Sequence, residues 1–314
     1  MVTALPAAPV RSRRSAALSL LDVCHLGLLA LLVVVAGAGV RDGGAWARLL
    51  GFWVAALAAI GVGVGLRRRP GGVVGGRALF LFVQPIAVLF LLFESLFVLI
   101  PALGSVRYDD VFAAVDRWLL GVDATLWMEQ WNTRFYDDLF HLCYFLYFPM
   151  PMVTLVWLFA HGRRRDVERV LFVFLACYYP SYVIYLVLPT EGPQWWFEAA
   201  HRVKLEGIVL TQPIRTLVQT LEPAKVDAFP SVHAAILTTT MITAWWYWRR
   251  VFWGFVPLAI GILISLIYTR HHYVIDVIAG IAVAASTAWL AVRVFPRWWP
   301  AFAPHLPEPA EASR

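Results

Sequence analysis

Little in this chain is charged: Asp, Glu, Lys and Arg together reach 15%, against 61% hydrophobic residues. With a mean hydropathy of +0.70, that scarcity excludes a soluble globular domain and indicates an all-α, polytopic membrane protein. Cysteine is scarce too. Cys24, Cys143 and Cys177 lie inside or at the edge of apolar runs without metal-type spacing, which excludes a disulfide framework and leaves them as small core residues. The net charge of +6 forms no continuous basic stripe, because the arginines cluster between apolar runs; this excludes a nucleic-acid partner and makes them topology signals. Internal repeats and polar residues threading several spans, expected of a transporter or channel, are missing, and only Gln84 and Glu94 lie deep.

What is present is a series of eight apolar runs, at about 17–40, 46–66, 78–104, 139–160, 168–189, 231–248, 251–269 and 271–295. The first run is longer than a signal-peptide core and reads as a retained span. Asp22 and His25 in its first turns read as interfacial residues snorkelling toward the headgroups. Glu94, mid-way along the third run, requires a partner, a proton or a polar interior, and reads as structurally paired. Between the third and fourth runs, residues 105–138 carry six aspartates among Trp118, Trp127 and Trp131, a pattern of short interfacial helices. Tyr178, Tyr182 and Tyr185 share a helix face and read as a packed seam. The chain divides into a cytoplasmic tail (1–16), N-terminal spans with an outer interfacial segment (17–138), a membrane core (139–296) and a disordered tail (297–314).

Arginine placement sets the orientation. With eight spans and the N-terminus inside, Arg11, Arg13, Arg14, Arg67–Arg69, Arg77, Arg163–Arg165, Arg169, Arg249, Arg250, Arg293 and Arg297 all fall on the inner side. Both termini are then cytoplasmic. The starts of the sixth and eighth spans face outward, which places them at the extracytoplasmic face of the plasma membrane.

Those two starts hold the chemistry. In Tyr268-Thr-Arg-His-His-Tyr-Val-Ile-Asp276, four residues separate His272 from Asp276, so a carboxylate can orient an imidazole on one helix face. Gly280 extends that face without bulk. Arg270 supplies a cation beside it, and an oriented imidazole of this kind is a nucleophile for a phosphate ester. Thirty-nine residues earlier, Ala228-Phe-Pro-Ser-Val-His233 opens another apolar run; Pro230 and Ser231 mark a helix start, and His233 falls in its first turn. Two helix N-termini with free N–H groups directed at one space suit an anion. His271, whose partner four residues on is Ile275, reads as interfacial. Two histidines and an aspartate could also hold a metal, but Arg270 disfavours a divalent cation and favours a phosphate.

Phe229-Pro-Ser-Val-His233 followed by His271-His-Tyr-Val-Ile-Asp276-Val-Ile-Ala-Gly280 resembles the second and third signature motifs, P-S-x-H and S-R-x5-H-x3-D, of the type 2 phosphatidic acid phosphatase superfamily. The double histidine and following tyrosine look most like its inositol phosphorylceramide synthase branch, with sphingomyelin synthases among the relatives. The resemblance covers about 140–290. It implies that His272 is the nucleophile forming a phosphohistidine, Asp276 its orienting carboxylate and His233 the general acid. Ser265 matches the motif serine, but Leu266 stands where the arginine belongs. The first motif, K-x6-R-P, has its nearest counterpart at Pro193-Gln194. Arg270 is then one replacement cation, and Arg202, Lys204 or Lys225 the other.

The expectation is a membrane enzyme transferring a phosphoryl group from a lipid phosphate or phosphodiester, with an inositol-type diester as donor and water, a lipid hydroxyl or another alcohol as acceptor. Arg270, Ser231, Gln194 and Lys204 are its expected phosphate-binding residues, and it needs neither metal nor cofactor. A lipid phosphate phosphatase is the nearest alternative, and a non-catalytic transporter the alternative of another class.

Overall fold

The computed structural model describes residues 18–69, 74–104, 106–221, 226–302 and 304–306. Expectations at Arg11, Arg13, Arg14, Lys225, the connector residues 70–73 and the tail from 307 onward lie outside the described residues. The apolar runs are helices. Ser19 opens α1 (Leu20–Gly39) with a capping box, its hydroxyl accepting from Asp22 N at 3.2 Å while Asp22 accepts from Ser19 N at 2.9 Å. Asp42 accepts from Gly44 N and Ala45 N to cap α2 (Gly43–Arg68), and α3 (Gly75–Ala102) packs back along it. Two short elements follow, α4 (Asp109–Leu120) and α5 (Ala124–Trp127).

The fourth run is one span in two pieces, α6 (Arg134–Leu146) and α7 (Met150–Ala160), parted where Pro149 and Pro151 remove backbone donors. After α8 (Arg164–Val187), the long loop carries α9 (Pro193–Trp196) and α10 (Thr211–Leu221). The remaining helices are α11 (Val232–Tyr247), α12 (Arg249–Tyr268) and α13 (Val274–Trp298), the last continued by a 3-10 turn over Trp299–Ala301. No β-strand occurs among the described residues. The chain is an all-α polytopic bundle.

Among the described residues, seven helical segments are long and apolar enough to cross a membrane. The exception among the eight expected spans is α11, whose 16 residues rise about 24 Å against a hydrocarbon thickness of about 30 Å. It lies against α7, α8, α12 and α13. Ala234, Ala235, Thr239, Thr240, Thr243 and Ala244 are all buried there, and their small side chains let the surrounding backbones close in.

Two N- and C-terminal expectations are corrected. Asp22 and His25 do not reach toward headgroups: both are fully buried, with Asp22 paired to Arg67. Residues 297–301 continue as helix, and His305 and Leu306 are buried rather than disordered. His305 Nε2 donates to Leu81 O at 2.9 Å, its Nδ1 lies 2.8 Å from Ser19 Oγ, and Leu306 N donates to Glu168. The buried Glu168 carboxylate needs polar partners, and Leu306 N with the Trp299 indole provides them.

The site end of the bundle depends on the approach of α11 to α13. A Cβ at Gly280 would overlap the Ser231 carbonyl and crowd Ala234 and Ala235, so only glycine allows that contact. Ser231 N donates to Asp276 O at 3.0 Å, joining the start of one helix to the first turn of the other.

Candidate active site

His233 enters from the first turn of α11, and His272 from the turn between α12 and α13. That turn is held by the Leu266 carbonyl, which accepts from His271 N and His272 N, each at 3.1 Å. The two imidazoles meet with His233 Nδ1 3.1 Å from His272 Nε2. His272 Nδ1 lies 2.9 Å from Ala228 O. A carbonyl only accepts, so Nδ1 carries the proton and Nε2 keeps its lone pair. His233 Nδ1–H then donates to that lone pair, and the Tyr144 hydroxyl meets His233 Nε2 at 2.8 Å.

Asp276 takes a different place from the one expected. Its Oδ2 lies 3.6 Å from His272 Nδ1, beyond hydrogen-bond length, and accepts instead from Tyr273 N at 2.7 Å. The backbone carbonyl of Ala228 therefore orients the imidazole, and Asp276 secures the turn that carries it through Tyr273 N. Burial, reinforced by the neighbouring imidazoles of His233 and His271, holds the His272 pKa well below the usual 6.5. It is a neutral, nucleophilic ring over the physiological range.

A cavity of about 60 Å³ opens on these rings, lined by Glu191, Gln194, Trp195, Val218, Gln219, Asp227 and Ala228 with His233, His271 and His272. Gln194 is in the wall, its N donating to Arg270 O at 2.7 Å. Ser231 does not line the cavity; it is buried as the cap of α11, accepting from Ala234 N at 3.2 Å. Arg270 and Lys204 are not in that wall. The Arg270 backbone adopts φ 69, in the left-handed region, and its guanidinium turns away to Glu129 Oε1 at 2.8 Å and Val203 O at 2.7 Å. Lys204 is exposed in the loop beyond. Among the described residues, no arginine or lysine lines the cavity.

His271, expected at the interface, is in the cavity wall, stacked on Tyr144 with ring centroids 4.4 Å apart and bonded to Thr269 Oγ1 at 2.8 Å. The helix N-terminus expected to be open on α13 is already filled: Val274 N and Ile275 N donate to Asp116 at 2.8 and 2.9 Å. A carboxylate there satisfies both the orphan donors and the helix dipole. Asp109 does the same for the loop, accepting from Glu191 N at 2.9 Å, Gly192 N at 2.8 Å and the Tyr273 hydroxyl at 3.1 Å. Gly192, at φ 89, is needed because a Cβ would lie 2.6 Å from His271 O. Tyr185, from the tyrosine seam, donates to Pro230 O at 3.0 Å and so steadies the approach to Ser231.

A second, largely apolar cavity of about 210 Å³ lies deeper, between α3, α7, α8 and α11, and reaches His233 and Asp227 from below. Phe90, Phe93, Phe148 and Tyr178 are among its walls. A phosphate-sized opening thus adjoins an apolar space at the same histidine.

Sequence reasoning did not find Tyr144, the Ala228 carbonyl, Asp109 or Asp116. The aspartates were visible as an acidic stretch, but only their long-range partners identify them. No curated protein and no solved structure matches the chain. A family model described as the PAP2 superfamily matches residues 110–290, a region that holds both histidines, Asp276, Tyr144 and Asp116. The chain belongs to the PAP2 superfamily, with a phosphatase- or phosphotransferase-type function.

Proposed function

We propose that the protein is a lipid phosphotransferase that works through a phosphohistidine on His272, with a phosphodiester donor and an alcohol acceptor. The observation that carries this reading is the relay Tyr144–His233–His272–Ala228 O, which presents one imidazole nitrogen as a lone pair and the facing one as a proton carrier. His272 Nε2 attacks phosphorus, the bond from phosphorus to the leaving oxygen breaks, and protonated His233 gives that oxygen its Nδ1 proton. The Tyr144 oxygen holds the other His233 N–H during this step. An alcohol then attacks the phosphohistidine; its proton goes to His233 and the P–N bond breaks.

The charge of the cavity supports a diester donor. A terminal phosphomonoester brings close to two negative charges at neutral pH and a diester only one. The described walls offer imidazoles, the Gln194 amide and the Trp195 indole against the carboxylates of Glu191 and Asp227, which suits the smaller charge. The resemblance to inositol phosphorylceramide synthases favours an inositol-containing phospholipid. The apolar cavity below His233 accommodates part of a lipid chain. The site faces the extracytoplasmic side of the plasma membrane in this reading. Ser231 positions the start of α11, Gln194 contacts the phosphate, and Asp276 stabilises the His272 cation of the intermediate.

The deciding measurement compares the specificity constants for phosphatidic acid hydrolysis and for transfer from phosphatidylinositol to a lipid alcohol in one preparation. Faster transfer is expected. Faster release of free phosphate, with no acceptor product, would leave a lipid phosphate phosphatase. For orientation, a cysteine at Lys204 is expected to react with an impermeant reagent from outside and one at Arg164 not to; the reverse would place the site at the cytoplasmic face.

A further inference from the structure

A cavity of about 830 Å³ lies between the N-terminal helices and the core, outside the machinery described above. Its walls are two helix faces at i, i+3, i+4 and i+7: Arg48, Gly51, Phe52 and Ala55 on α2, and Glu94, Phe97, Val98 and Pro101 on α3. Arg107, Glu191 and Val226 complete it. Two guanidinium groups and two carboxylates thus face a space otherwise lined by aromatic and aliphatic groups. Glu94 is two turns inside α3 and places its carboxylate at the edge of this space. Arg107 Nε is 3.6 Å from Glu191 Oε1, while its Nη1 is buried without a hydrogen-bond partner among the described residues.

Those groups select a ligand class. An anion would meet two carboxylates and a cation two guanidinium groups. A hydroxyl both donates and accepts, so a neutral polyol satisfies both sets, with its ring or chain carbons against Phe52 and Phe97. The volume falls within the range of small-molecule sites, roughly 300–1,000 Å³. The cavity also borders the histidine site. Glu191 lines both, and Val226 lines this one while Asp227 lines the other. Asp109 fixes the Glu191 backbone at that boundary.

We infer that this cavity holds the acceptor, a lipid with a neutral, hydroxyl-rich headgroup, and delivers one hydroxyl past Glu191 to the phosphohistidine. The inference rests on the phosphotransferase reading. The hydroxyl oxygen bonds to phosphorus, the bond to His272 Nε2 breaks, and the hydroxyl proton passes to His233.

The test uses the full-length protein in lipid nanodiscs, with inositol-labelled phosphatidylinositol as donor and either octyl glucoside or 1-octanol as acceptor probe. Glu94→Gln and Arg107→Leu are expected to raise KM for octyl glucoside relative to 1-octanol by roughly tenfold, the loss of a charged hydrogen bond. Ala55→Trp, which fills the cavity from α2, is expected to do the same without removing a charge. Should one variant fail to fold, the other two still decide the matter. Labelled phosphohistidine at His272, with an acceptor ratio unchanged in the folded variants, would overturn this inference alone. Absence of any labelled phosphohistidine would overturn the phosphotransferase reading, and this inference with it.

Discussion

The two ends of this bundle are built by opposite charges. At the histidine end, aspartates hold irregular backbone: Asp138 accepts from the N–H groups of Ile208, Val209, Leu210 and Thr211, Asp137 from Glu206 and Gly207, Asp116 from the start of α13, and Asp109 from the 191–192 turn. At the other end, arginines lie over aromatic rings, with Arg164 over Phe159, Arg165 over Trp299, Arg249 over Trp245 and Arg293 over Trp289. The difference follows from what each group can do. A loop that leaves helical geometry exposes N–H donors, and only an acceptor can satisfy several of them at once. A guanidinium accepts nothing, but it covers an aromatic face while keeping its charge near water. The irregular backbone around the two histidines therefore belongs to the acidic end.

The largest effect that could break this contrast is expected at the relay. His272→Ala and His233→Ala should each reduce turnover by roughly a thousandfold or more with the fold retained, and the double variant should be little worse than either, because the pair acts as a unit. Near-normal rates in either single variant would remove the site from this end altogether. Tyr144→Phe, which removes only the partner of His233 Nε2, should lower turnover by roughly tenfold and distort the pH profile of the general acid.

Asp109→Ala comes next. It strands two loop N–H groups and the Tyr273 hydroxyl, for an expected loss of about 3 kcal/mol, measured by thermal or denaturant unfolding, together with reduced turnover. Acidification should act on the same end more gently. The depressed His272 pKa means that the unfolded chain takes up a proton near pH 6.5 that the folded ring refuses; stability is full above that pH and falls below it, by at most about 1.4 kcal/mol per pH unit. In His272→Asn that component of the pH dependence should vanish. The smallest effect is expected at the arginine end, where Arg165→Ala should cost about 0.5–1 kcal/mol in unfolding experiments. A loss there equal to that of Asp109→Ala would erase the distinction between the two ends.

Much of the architecture was legible in advance because a membrane restricts it. Apolar runs of sufficient length can only be helices in hydrocarbon, so α1, α2, α3, α8, α12 and α13 were located within a few residues. The fourth run was located too, but its break at 147–149 was not, although Pro149 and Pro151 mark it. Asp22 and His25 were misplaced at the interface because what they meet, Arg67 and His305 for Asp22 and the Tyr179 ring for His25, is distant in sequence.

By itself the sequence determined the class, the helices and the family motifs that contain His233 and His272, since each depends on composition, local spacing or residue chemistry. Only the tertiary structure decided which groups those histidines meet. Tyr144 lies in an aromatic run where no pattern singles out one ring, and the Ala228 carbonyl has no side-chain signature at all. Arg270 adjoins the motif in sequence, yet its left-handed backbone and Glu129 carry its charge away from the cavity. Adjacency along the chain fixes a few ångströms of backbone; the direction of a side chain and the partner it reaches are set by distant elements, 141 residues away for Arg270 and Glu129 and 164 for Tyr273 and Asp109.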